Sequence, residues 1–225
     1  MRGSFTVTGD DVPMTVDARF KDAAASYQRY LSAQTSALVA ATVAFVGAIK
    51  KGDVVGAEAV YPTARAYYQR TRPAAAAFNE ELATRIRMHQ ADVGGVGQQW
   101  SGFHRLERDL WASGLQPDTN AIADQLLADV EQLDAEVKAP TWTVDPTRIA
   151  GGAQALLEYV SANATSGGAD EEFSHTDLWN FQSSVDGAQA AVASVRPILD
   201  ELSPRPGLRG RRAVRGGRRG AVQAP

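Results

Sequence analysis

The chain has 225 residues, 44% of them hydrophobic, no cysteine, and a formal net charge of −3. That charge is unevenly divided: residues 202–225 hold seven arginines and no acid, so residues 1–201 carry 16 basic against 26 acidic side chains, a net of −10. This apolar content excludes a wholly disordered chain. Lack of cysteine excludes disulfides, a thiolate nucleophile, zinc-thiolate sites and iron–sulfur clusters.

Residues 4–8 alternate like a short strand and stop at the turn Gly9-Asp10-Asp11. Residues 1–14 are therefore read as a linker or the remnant of a preceding domain. The first residues lack the apolar core of a signal peptide, so the expectation is a cytoplasmic protein or an export signal missing from this chain. The longest apolar stretch, Ala37–Ile49, falls short of the roughly 20 residues of a membrane span.

From Asp17 the apolar residues recur at three- and four-residue steps, predicting a long helix that ends at Lys50-Lys51-Gly52-Asp53. There cations meet the negative end of the dipole, glycine terminates the helix, and aspartate caps the next one. A second helical stretch runs from Asp53 to about His89, where Pro62 and Pro73 each remove a backbone donor and predict a kink or break. A short helix follows over about Trp100 to Ala112. Another opens at Pro117-Asp118-Thr119 and ends before Pro140. Asp145-Pro146 starts the next, by an aspartate cap with proline at the first helical position. Ser166-Gly167-Gly168 breaks it, and a last helix spans about His175 to Leu202, bent at Pro197. The expectation is an all-α antiparallel helical bundle over residues 15–202, with only a short N-terminal strand remnant beside it.

With three histidines, each is weighed in turn. His104 and Glu107 lie three residues apart on a helix, so imidazole and carboxylate point at one spot, a two-ligand clamp of the kind that helical bundles use for iron or manganese. The competing reading is a surface ion pair. His175 follows Asp170-Glu171-Glu172, where acids suit a helix start, or where one carboxylate joins His104 from another helix. His89, among Arg85, Arg87 and Met88, reads as a solvated residue near a helix end. Tyr61, Tyr67, Tyr68, Trp100, Phe103 and Trp111 read as packing residues. There is no Gly-x-Ser-x-Gly, P-loop or dinucleotide fingerprint, so no hydrolase nucleophile is visible.

Gly102-Phe103-His104-Arg105-Leu106-Glu107 resembles the Gly-x-His-x-x-Glu signature of imelysin-like proteins. Ser174–Gln182 with Val185-Asp186-Gly187-Ala188, Ala59–Arg65, Thr141-Trp142-Thr143 and Gly151-Gly152-Ala153 resemble the EfeO/EfeM branch of that family. The resemblance implies a fold of two packed helical bundles and a non-enzymatic, extracytoplasmic iron-binding component of an EfeUOB-type uptake system, periplasmic or a lipoprotein. It would be peripheral to the membrane and work with a membrane iron permease and a haem peroxidase. Iron, ferric or ferrous, is the implied metal, with copper or zinc as alternatives. The implied ligands are His104 and Glu107, with Asp170, Glu171 and Asp177 as further candidates. The peptidase label attached to imelysin-like domains implies instead a metal-dependent hydrolase, and loss of the ligand set would leave an interaction bundle.

That last reading rests on departures from the family pattern. Arg72 and Ala76 stand where glutamates are usual, and Arg87 and Asn180 where aspartates are usual. Arginines beside a cation site weaken it by like-charge repulsion, and Asn180 is expected to affect helix capping only. Residues 203–225 form an Arg/Gly-rich tail, read as disordered or frameshifted, and no nucleic-acid partner is inferred from it.

Overall fold

The computed structural model describes residues 16–94, 99–166 and 170–202. The strand expected at residues 4–8, the Gly167-Gly168 break and the arginine tail lie outside the described residues. The described residues form seven α-helices: α1 (Val16–Lys50), α2 (Val54–Thr71), α3 (Glu80–Arg87), α4 (Phe103–Arg108), α5 (Thr119–Lys138), α6 (Pro146–Ser166) and α7 (Asp177–Leu202). Among the described residues there is no strand.

The sequence punctuation acts as its chemistry dictates. Gly52 takes φ +71° after α1, a left-handed conformation that costs glycine nothing. The Asp53 carboxylate accepts a hydrogen bond of 2.9 Å from the Gly56 amide, satisfying one of the orphan donors at the start of α2. Asp145 accepts from the Thr147 amide at 2.9 Å ahead of α6. The three-residue connection forces α1 and α2 to pack side by side in opposite directions.

The two prolines behave differently. α2 runs on through Pro62, because Tyr61, Ala64, Arg65 and Tyr68 anchor this stretch in the core and offset the missing backbone bond. At Pro73 the α-helix gives way to a 3₁₀ segment, Arg72–Ala77. The short helix α4 passes into a π-helical turn, Asp109–Ser113.

α1 is the central helix and packs on α2, α5 and α7. By length and composition it is apolar enough to cross a membrane, yet here it buries Tyr27, Leu31, Leu38, Phe45, Val46 and Ile49 in the core. Each large apolar side chain so buried contributes about 1.5–3 kcal/mol. Thr35 Oγ1 donates to Asp134 Oδ1 at 2.7 Å and fixes the register of α1 on α5. One group of helices gathers α1, α3, α4 and α5. A second joins α6 and α7 to α2, and a continuous hydrophobic core links the two.

Candidate metal centre

Three elements converge where the two helical groups meet: α2, the start of α4, and the 170–176 loop before α7. α4 is placed by Gly102, whose φ of +83° and ψ of −167° only glycine adopts readily. A Cβ there would overlap the Arg85 and Ile86 carbonyls at the end of α3. This close approach brings His104 and Glu107 inward. His104 is 3% exposed and Glu107 0%, so the pair is not a surface ion pair.

His104 Nδ1 lies 3.3 Å from Glu107 Oε2 and 3.8 Å from Glu171 Oε2. The other Glu107 oxygen, Oε1, is fully used: it accepts from the amides of Phe173 (3.1 Å) and Ser174 (2.8 Å) and from Ser174 Oγ (2.8 Å). Glu107 thus ties α4 to the loop while its second oxygen faces inward. Burial pushes its pKa up, but the bonds from His104 and Ser174 outweigh this and hold it below the ordinary glutamate value.

Glu171 accepts from Tyr61 Oη at 2.5 Å and Arg65 Nε at 2.6 Å, and from Asn180 Nδ2. Asp170 accepts from Gln69 Nε2 (2.9 Å), Tyr159 Oη (2.7 Å), Arg65 Nη2 (3.3 Å) and Asn180 Nδ2 (3.3 Å). Its Oδ1 stands 3.4 Å from His89 Nε2. Burial opposes the charge of Asp170, and the His89 contact with Arg65 behind it more than compensates, holding the carboxyl well below the usual aspartate range. His104 is lowered from its ordinary value by burial first and the Arg65 charge second.

Two overlapping sets of ligand atoms are close enough to share one ion among the described residues: His104, Glu107 and Glu171, and His89, His104 and Asp170. Nitrogen and carboxylate oxygen in this ratio suit iron, manganese or zinc. The structure therefore brings together four of the five residues singled out in the sequence. Asp177 is elsewhere: its Oδ1 accepts from the amides of Asp170 (2.7 Å) and Glu171 (3.1 Å), so it shapes the loop rather than facing the cluster.

Sequence reasoning missed several participants. His89 is not a solvated helix-end residue; its ring stacks on His104 with centroids 3.9 Å apart. Asn180 does more than cap, being buried with its amide on both Asp170 and Glu171. Tyr61 packs against Phe45, Phe103 and Trp111 as expected of a core aromatic, but its hydroxyl reaches the site. Arg65 is 1% exposed and sits in the centre. The signal for Arg65 and Tyr61 was their helical spacing, since i and i+4 share a face.

Arg72 and Arg87 line a cavity of about 150 Å³ that opens onto His89, His104 and Asp170. Arg72 lies 4.4 Å above the Tyr159 ring and donates to Gln69 Oε1 at 3.2 Å. The Ala76 side chain lies outside the described residues.

The helical bundle gathers two histidines and three carboxylates from three separate segments, a grouping of the kind that can hold a cation. The family model described as Peptidase_M75: Imelysin matches residues 23–208, and the chain belongs to the imelysin family. It is 36% identical over 176 residues to "Iron uptake system component EfeM" of Pseudomonas syringae pv. syringae, a match covering 78% of this chain and 61% of that protein. It is 35% identical over 211 residues to "Iron uptake system component EfeO" of Escherichia coli K12 and of Shigella flexneri, covering 90% of this chain and 55% of each. The chain thus spans little more than half the length of these relatives.

Proposed function

We propose that this protein is a non-enzymatic, extracytoplasmic iron-binding component of an uptake system, holding the metal through His104, Glu107 and Glu171, with Asp170 and His89 beside them, for delivery to a membrane permease. The supporting observation is the charge of the cluster. Glu107, Asp170 and Glu171 are buried with a single guanidinium, that of Arg65, leaving two negative charges uncompensated. Buried net charge is expensive unless a counter-ion joins it, and a di- or trivalent cation is the counter-ion the adjacent imidazoles favour. The names of the EfeM and EfeO relatives point to iron as that cation, and a haem peroxidase of the same system is the further partner this reading carries.

The test is calorimetric titration of the purified protein with ferrous and ferric iron, copper and zinc, beside a His104→Ala/Glu107→Ala variant. Wild type should bind iron and the variant should lose at least a hundredfold in affinity. Equal affinity of the two proteins would refute the assignment, and chelator-sensitive turnover of a peptide library would replace it with the hydrolase that the family label suggests.

A further inference from the structure

The cavity above the cluster carries three arginines against two aspartates, Asp92 and Asp170, and Asp170 is already held by Arg65. The arginines are Arg65, Arg72 and Arg87. Arg65 is already matched by Glu171 and Asp170. Arg72 has only a neutral amide oxygen and the face of a tyrosine. Arg87 is exposed and makes no hydrogen bond or ion pair among the described residues. Two unmatched guanidinium groups therefore share the wall through which the cluster meets the cavity. Guanidinium is a fork of donors with no acceptor, suited to carboxylate and phosphate oxygens.

We propose that Arg72 and Arg87 seat a small oxyanion, a carboxylate or phosphate group that accompanies the metal, so that the protein takes up a metal–oxyanion chelate rather than a bare ion. This rests on the iron-site reading above and specifies its substrate. The oxyanion neutralises the arginines on one side and ligates the metal on the other, so attraction replaces the repulsion that two arginines beside a cation would otherwise exert. At about 150 Å³ the cavity is far larger than one water requires and below the 300–1,000 Å³ typical of drug-sized ligands. Arg72 and Tyr159 also belong to the wall of a neighbouring, largely apolar-walled cavity of about 920 Å³ between the Pro73 segment and α6. The organic remainder of a carboxylate chelator has room there, whereas inorganic phosphate needs only the smaller space.

The experiment measures anaerobic ferrous-iron affinity of the full chain at fixed free iron, without anion, with citrate, and with inorganic phosphate, for wild type, R72Q/R87Q and His104→Ala/Glu107→Ala. In wild type one of the anions should tighten iron binding at least tenfold, and iron should tighten that anion by the same factor. The coupling should vanish in R72Q/R87Q, whose thermal unfolding should match wild type and whose R72K/R87K counterpart should recover part of it. Citrate alone coupling identifies a carboxylate chelate; phosphate alone identifies an inorganic one. Wild-type iron affinity that is the same with and without either anion, or anion coupling that persists at full size in R72Q/R87Q, overturns the oxyanion seat and leaves the iron site standing. Absence of iron binding under every condition overturns both.

Discussion

Arg65 Nη2 lies 3.3 Å from His104 Nε2, and this contact fixes the protonation of the histidine. A guanidinium can only donate, so Nε2 must accept, the ring must be neutral, and its one proton must sit on Nδ1, donated to Glu107 Oε2. The lone pair a metal would use at Nε2 is held by Arg65. At Nδ1 the metal would need the proton moved to Nε2, against the same guanidinium. On either nitrogen, metal capture requires Arg65 to give way.

Arg65→Met is therefore expected to act in opposite directions on the two states. Removing the guanidinium leaves Glu171 and Asp170 buried without their cation, which costs the metal-free protein about 3–5 kcal/mol. It also removes the competitor for His104, so metal affinity rises and saturating metal restores more of the lost stability than it adds to wild type. Urea unfolding with and without iron or zinc measures both effects. Weaker metal binding in the variant would show that Arg65 supports the occupied site.

The pH dependence follows from His104 and Asp170. Burial, and then Arg65, lower the His104 pKa below 6.5. As pH falls below 6.5 the unfolded chain therefore takes up a proton there that the folded one does not, and stability falls. The slope is at most about 1.4 kcal/mol per pH unit. Asp170 stays ionised in the fold well below the usual aspartate range, so its contribution is present above about pH 4 and is lost only as pH falls further. Unfolding free energies at pH 7.5 and 5.5 should show a decline in wild type that is reduced in His104→Gln. An unchanged slope in that variant would mean that His104 does not carry the effect.

Gly102 sets where His104 stands. Gly102→Ala forces a side chain into a conformation that costs about 1–3 kcal/mol and against two carbonyls at the end of α3. Both the melting temperature and metal affinity should fall together. Loss of stability with full metal affinity would separate the α3 contact from the site.

The helices were legible because their ends are chemically marked: Lys50 to Asp53 and Asp145-Pro146 act through local bonds that a sequence displays directly. His104 and Glu107 were legible for the same reason, lying three residues apart on one helix face. His89 and Arg65 were not, because their carboxylate partners are distant in sequence, and Asn180 was not, because its partners, nine and ten residues back, are reached only through the fold of the loop before α7. Arg65 bonds Glu171 at a separation of 106 residues, and an arginine in a helix otherwise reads as a solvated charge. Asp177 was ambiguous, since an acid at a helix start can serve a ligand site or its own loop with the same sequence appearance.

Asp177 offers the sharpest separation of placement from ligation. Its Oδ1 accepts both the Asp170 and Glu171 amides, orienting two consecutive carboxylates before α7 begins. Asp177→Ala leaves those amides without their acceptor, at about 1–3 kcal/mol, and metal affinity should drop because Asp170 and Glu171 lose their fixed positions. Asp177→Asn keeps an oxygen in the same place, so it should retain most of the stability and most of the affinity. A direct ligand would behave otherwise, because an amide oxygen is a poorer donor to iron than a carboxylate and the asparagine variant would then bind as weakly as the alanine one. Parallel titrations of the two variants decide between these roles.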